Sequence, residues 1–213
     1  IFRHILQNSK DPNSIVIFVS LEMTLNSIAT RWRNLVGEDS PLTDRLYIVS
    51  NFDENDKARC LTTAGILSEC LKIKNGLGVE IESIAVDHLH IIQSVSKETL
   101  NDIWQKIKDV AVETNSFIIL LSQTTKGKGG SLCDRPLDKD ASFNCSQFAW
   151  ISSWIITIHQ PLGSVQGETD LRCLSWGYVK IREKSKNDKV QVGQFQLAHY
   201  DINSGHLRQL TKD

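Results

Sequence analysis

Four short apolar runs, each followed by a longer segment of helical period, constrain this chain more than any other feature. The runs are Ile15-Val16-Ile17-Phe18-Val19, Leu46-Tyr47-Ile48-Val49, Ile81 to Val86, and Phe117-Ile118-Ile119-Leu120-Leu121. A strand with one wet face alternates apolar and polar residues, whereas a strand covered on both faces is apolar almost throughout. Between the runs, Thr24 to Val36 places Leu25, Ile28, Ala29, Trp32 and Leu35-Val36 on one helical face. Thr24 is positioned to cap that helix and Gly37 to stop it. A second helical segment is expected from about Glu54 to Lys74, closed by Asn75-Gly76. A third runs from Leu100 to Val112, with Leu100, Ile103, Trp104, Ile107 and Val110-Ala111 on one side. Strands alternating with helices in this way predict an α/β fold with a parallel sheet between two helical layers.

The period changes after Leu121. Thr124 to Asp140 is polar and carries the basic loop Lys126-Gly127-Lys128-Gly129-Gly130. Three strand-like pieces follow, Trp154 to Ile158, Leu174 to Ile181 and Val190 to Tyr200. Gly163 to Asp170 reads as a loop, and Lys184 to Lys189 and Asn203-Ser204-Gly205 read as turns. The last two strands are expected to form an antiparallel hairpin at the end of a mostly parallel sheet. With no internal repeat and no linker rich in Pro, Gly or Ser, residues 1–213 read as one domain.

The 24 basic and 25 acidic side chains leave a formal net charge of −1, so nucleic acid or anionic lipid could be attracted only through local patches. No apolar run reaches the ~18–20 residues of a membrane span, and no membrane partner is expected. The five cysteines, Cys60, Cys70, Cys133, Cys145 and Cys173, are odd in number and lack Cys-x-x-Cys spacing. They fit free thiols in a reducing compartment better than a disulfide framework or a zinc site. His88 and His90 sit at strand spacing without a third histidine nearby, which favours ordinary packing over metal ligation.

In an open parallel sheet, ligands bind outside the carboxyl ends of the strands. Three of the apolar runs lead there into polar residues, Ser20-Leu21-Glu22, Asp87 and Ser122-Gln123. Each taken alone fits a solvated loop, while three on one edge point to a shared site. Their chemistry suits phosphates. Asp87 can hold a magnesium ion through water, Glu22 can accept a proton from an attacking water, and Gln123 can orient that water or sense a terminal phosphate.

These residues resemble the RecA-like motor domain of hexameric replicative helicases of the DnaB, Twinkle and phage primase-helicase kind. Val16-Ile17-Phe18-Val19-Ser20-Leu21-Glu22-Met23 is similar to that family's strand ending in Ser-Leu-Glu-Met, and Ile84-Ala85-Val86-Asp87 to its Walker B strand. Leu120-Leu121-Ser122-Gln123 resembles the strand with the phosphate sensor, Val179-Lys180-Ile181-Arg182 the Lys-x-Arg strand, and Val192 to Leu207 the closing hairpin. The resemblance implies ATP or another nucleoside triphosphate, Mg2+, single-stranded DNA as partner, and self-association into a ring, expected to be a hexamer. It further implies that Arg182 is an arginine finger reaching a neighbouring subunit's nucleotide, with Lys180 its companion. Lys126, Lys128 and Gly129 would then face DNA in the central channel, with Gln93 to Lys97 a second candidate. A cytoplasmic or organelle-matrix location follows from the same resemblance.

The sequence also departs from the family's pattern. It lacks the Gly-x-x-x-x-Gly-Lys-Ser/Thr phosphate loop, and Ile1 to Asn8 resembles the helix that follows that loop. The chain opens Ile1-Phe2-Arg3-His4, so the first strand and the loop are expected upstream of Ile1, in a domain incomplete at its amino terminus. Ala141 to Ser146 matches the family only loosely, and Ser153 stands where many members carry an acidic residue. Two alternatives stay open: a non-catalytic RecA-like subunit or loader that has lost the loop, and a recombinase or clock-type ATPase of the same fold. Of the five tryptophans, Trp32, Trp104 and Trp176 are expected in the core, while Trp150 and Trp154 could instead form an interface or a base-stacking surface.

Overall fold

The computed structural model describes residues 1–53, 57–59, 61–88, 91–92, 99–122, 152–159, 173–182, 191–192, 194–200 and 207–209. Two compact units divide the chain, Ile1–Ser122 and Gln123–Asp213.

The first unit is the parallel α/β layer. Its strands are β1 (Ile15–Ser20), β2 (Leu46–Ser50), β3 (Ile81–Asp87) and β4 (Phe117–Leu120), in the spatial order β2-β1-β3-β4 and parallel throughout. Its helices are α1 (Phe2–Asn8), α2 (Leu25–Val36), α3 (Thr63–Leu77) and α4 (Leu100–Thr114). The chain leaves β1 in one direction to make β2, then crosses back over β1 to make β3 and continues to β4. With right-handed crossovers, α2 lies on one face and α3 and α4 on the other. The apolar runs therefore form strands because both of their faces are covered. Val16, Ile17, Val19, Ile84 and Val86 are essentially inaccessible, and burying a side chain of this size contributes ~1.5–3 kcal/mol.

Beneath one face, Leu6, Val16, Trp32 and Leu42 pack together with Phe2, Ile5, Leu35, Val36 and Leu46 around them. Trp32 takes its indole N–H into this core and donates it to the carbonyls of Leu42 and Thr43 at 3.3 and 3.2 Å. On the other face α3 buries Thr63, Ile66 and Cys70, and α4 buries Ile103, Trp104, Ile107 and Val110. Both sets follow the three- and four-residue spacing of a helix stripe. Burial and the neighbouring Glu69 push the Cys70 thiol up to about 12, so it behaves as a small apolar side chain.

Helix α2 begins and ends where its sequence directs, with Thr24 Oγ1 accepting from Ser27 N–H and Gly37 at φ 91° closing it. Helix α3 differs from expectation at both ends. It begins at Thr63 behind an N-cap at Thr62, because the preceding residues fold back, with Phe52 bridging Ala58 and Arg59 donating to the Ser50 carbonyl at 2.8 Å. It runs through Asn75 and Gly76 and stops at Gly78, whose φ of 64° is the left-handed cap that glycine adopts without strain.

The second unit holds an antiparallel sheet of β5 (Trp154–His159), β6 (Cys173–Ile181), β7 (Phe195–Tyr200) and β8 (Leu207–Gln209), paired in chain order. The expected hairpin is the β6–β7 pair. It belongs to this separate four-stranded meander and is not an extension of the parallel sheet. Gly177 sits in β6 where a Cβ would come within 2.6 Å of the Gln194 carbonyl and 2.7 Å of the Phe195 ring. In β5 the alternation turns Thr157 inward and Trp154, Ile156 and Ile158 outward. Trp154 is 51% exposed and meets Tyr178 edge-on at a centroid distance of 6.2 Å, which removes it from the core. Trp176, half-buried beside the same tyrosine, lies at the margin of that sheet, and Trp150 lies outside the described residues.

Candidate functional site at the carboxyl end of the parallel sheet

Strand β1 is the point where the chain reverses direction across the sheet, one crossover leaving it for β2 and the next returning over it to β3. Glu22 follows β1 and Asp87 ends β3, its neighbour. The register pairs Ser20 with Asp87, and the Leu21 N–H donates to the Asp87 carbonyl at 2.8 Å. This bond carries the β1–β3 ladder one residue past the strand and holds the Glu22 turn against Asp87.

Two buried serines fix the rest of the turn. Ser20 Oγ accepts from the Met23 N–H at 3.0 Å and donates to the Met23 carbonyl at 3.1 Å. Ser50 Oγ, at the end of β2, reaches the same carbonyl at 3.5 Å. Leu21 is buried between them, so the backbone on both sides of Glu22 is anchored while its carboxylate projects outward.

That carboxylate has a specific partner. Glu22 Oε1 lies 2.9 Å from His88 Nε2. A carboxylate accepts and cannot donate, so the imidazole supplies the proton of this bond. His88 is only 7% exposed, while the Glu22 side chain is 47% exposed. Close by, the Asp87 carboxyl is pushed above the usual carboxylate range by burial and by the negative charge of Glu22, with His88 opposing. Burial and a like charge both disfavour its ionised form.

Glu22 and Asp87 are thus brought together as expected. His88, weighed in sequence only as a metal ligand, is instead the partner of Glu22. The signal that could have found it is its position directly after a strand-ending aspartate. His90, Gln93 to Lys97, Gln123, Lys126, Lys128, Gly129, the Gly163 to Asp170 loop, the Lys184 to Lys189 and Asn203 to Gly205 turns, Ala141 to Ser146, Cys60, Cys133 and Cys145 all lie outside the described residues. Lys180 and Arg182 belong to the antiparallel unit at the end of β6. Lys180 Nζ donates to the Ser152 carbonyl at 2.7 Å, and Arg182 is exposed, with its backbone N–H on the Ser153 carbonyl at 2.8 Å.

Among the described residues no group of three or more His, Cys, Asp or Glu side chains could hold a metal ion. That suits magnesium, which is commonly held by one or two carboxylates together with water and substrate phosphates. A cation beside Asp87 would also relieve the repulsion that Glu22 imposes on it. Among the described residues no helix is long and apolar enough to cross a membrane.

No protein-family model matches the chain, and no curated protein matches its sequence. Solved structures do match its fold. One of them, solved as an isolated ATPase domain, superposes with a TM-score of 0.69 at 15% identity, covering 97% of this chain and 78% of that one. A DnaB-like replicative helicase, solved in connection with its interactions with primase, superposes with a TM-score of 0.66 at 16% identity. That match covers 97% of this chain, which spans about half (53%) of the helicase chain. The protein therefore has a RecA-like α/β fold of the kind found in helicase ATPase domains, with a parallel core sheet and a separate antiparallel sheet.

Proposed function

We propose that this chain is the motor domain of a ring-forming replicative helicase that hydrolyses a nucleoside triphosphate, with ATP the first candidate, to move along single-stranded DNA and unwind duplex. The observation that carries the reading is the pairing of Glu22 and Asp87 where the chain reverses across a parallel sheet whose fold is that of helicase ATPase domains. In this reading Asp87 holds Mg2+ through water, and the ion neutralises charge on the nucleotide phosphates. Glu22 accepts a proton from the water whose oxygen bonds to the terminal phosphorus. The bond from that phosphorus to the bridging oxygen breaks, and the diphosphate leaves. The phosphate loop would come from a segment preceding Ile1, and Gln123 would sense the terminal phosphate. Lys180 and Arg182 would reach the nucleotide of the adjacent subunit, most simply in a hexamer, while Lys126, Lys128 and Gly129 would contact DNA phosphates in the channel.

The test is nucleoside-triphosphate hydrolysis by the full-length gene product, with Mg2+ and single-stranded DNA. Glu22→Gln keeps the size and hydrogen bonding of the side chain and removes its basicity, so hydrolysis should fall by about 10²–10⁴-fold. Full activity in that variant would remove Glu22 from the chemistry. Arg182→Ala should leave nucleotide binding intact and lower turnover by about 10³-fold. Unchanged turnover would withdraw the finger assignment.

A further inference from the structure

We propose that His88 is a positioning residue for Glu22: its buried imidazole holds the Glu22 carboxylate in the orientation that a proton acceptor needs. The proposal rests on the hydrolytic reading of Glu22 and adds to it the group that aims the carboxylate. Three observations carry it. The His88 Nε2 to Glu22 Oε1 distance is 2.9 Å, that of a good hydrogen bond. The donor is buried and the acceptor half-exposed, so the imidazole is the fixed post and the carboxylate the part being steered. The backbone around Glu22 is already anchored through Leu21 N–H to Asp87 and through Ser20 and Ser50 to Met23. The side-chain torsions of Glu22 are then the freedom left at this point of the site.

An unrestrained glutamate loses considerable rotamer entropy on being fixed, roughly 1.5–2 kcal/mol at the top of the side-chain scale. A hydrogen bond to one carboxylate oxygen restrains those torsions before substrate arrives and leaves Oε2 available to a water. Position matters strongly for such a group, since a displacement of about 1 Å can lower a rate by ~10²-fold. Because His88 directly follows Asp87, the strand that presents the metal-holding carboxylate also presents the residue that aims the base.

The test uses the full-length gene product with His88→Ala, His88→Gln, Glu22→Gln, Glu22→Ala and the double variant His88→Ala/Glu22→Gln. In steady-state hydrolysis, His88→Ala should lower kcat by about 10–10²-fold with KM for the nucleotide unchanged. His88→Gln, whose amide N–H can reach the same oxygen, should recover most of that loss. In the Glu22→Gln background the loss of His88 should have little further effect, because the carboxylate it aims is gone. A His88→Ala enzyme with wild-type kcat, or losses that simply multiply in the double variant, would overturn the proposal.

A second readout does not depend on activity. In a 1H–15N spectrum of the histidine rings, Glu22→Ala should move the His88 Nε2 resonance, and an unmoved resonance would overturn the proposal. Absence of hydrolysis in wild type and all variants would refute the hydrolytic reading, with the ring spectrum still deciding whether His88 holds Glu22.

Discussion

At the amino end of the parallel sheet, polar groups satisfy one another, whereas at the carboxyl end two carboxylates face each other with one imidazole between them and the core. Arg45 organises the amino end. Its guanidinium donates to the Ser14 carbonyl at 2.7 Å, Ser14 Oγ at 2.9 Å, the Asp11 carbonyl at 3.2 Å and the Leu6 carbonyl at 3.3 Å. Ser9 joins Ser14 to Glu82 on the neighbouring strand, and Ser116 Oγ donates to the Ile81 carbonyl at 2.9 Å. Lys74 bonds Glu80 and the Thr114 carbonyl, each at 3.0 Å. These charges meet acceptors already in place. At the other end Asp87 is held where burial and Glu22 both oppose its ionisation. An arrangement that costs stability and is kept at the ligand-binding edge of this architecture points to use by a ligand.

Three variants press on this contrast. The largest effect is expected at the amino end. Arg45→Ala removes every hydrogen bond of a half-buried guanidinium that ties α1, the approach to β1 and the start of β2 together. Urea unfolding should show a loss of about 3 kcal/mol, on the scale of hydrogen bonds to charged groups. Arg45→Lys should restore only a minor part, because an ammonium cannot reproduce the planar fork. A loss below about 1 kcal/mol for Arg45→Ala would mean the amino end is not held as described.

A smaller effect contrasts Asp87 with a carboxylate that its surroundings favour. Asp102 forms the capping box of α4, where the Thr99 hydroxyl and then the Thr99 backbone N–H hold its carboxyl below the ordinary range, with Lys106 assisting. A depressed pKa contributes stability that is full above the unfolded value and is lost as pH falls through the folded one. Unfolding midpoints measured down to acid pH should therefore drop less steeply for Asp102→Asn than for wild type. Parallel curves would show that the box contributes nothing through charge.

Much of the first unit was legible in sequence because its signals are local. The apolar runs became β1 to β4 because nothing but a doubly covered strand accommodates them, and Thr24 and Gly37 bounded α2 through their own side-chain and backbone chemistry. Glu22 and Asp87 could be assigned to one edge because parallel strands all end on the same side. What escaped depended on contacts distant in sequence. Helix α3 was expected too early because the fold-back through Phe52, Ala58 and Arg59 leaves no periodic trace. Its stop was misplaced because a helix tolerates an interior glycine at ~1 kcal/mol, so Gly76 did not end it and Gly78 did. The spacing of His88 to His90 drew attention to metals, whereas the partner of His88 is 66 residues away on the adjacent strand end. The separation of the antiparallel sheet from the parallel one was likewise invisible, since apolar alternation marks a strand without naming its neighbours.

The most direct test of the central claim, that the carboxyl end is kept for ligand chemistry at a cost to the fold, is the unfolding free energy of Asp87→Asn against wild type across pH. A raised carboxyl pKa works against folding once the pH exceeds the ordinary carboxylate range, and most fully above the folded value. The asparagine variant should therefore be more stable than wild type at neutral pH while having lost hydrolysis, and its advantage should vanish in acid, where Asp87 is protonated in both states. An asparagine variant that is less stable at neutral pH, or whose advantage does not change with pH, would contradict the account.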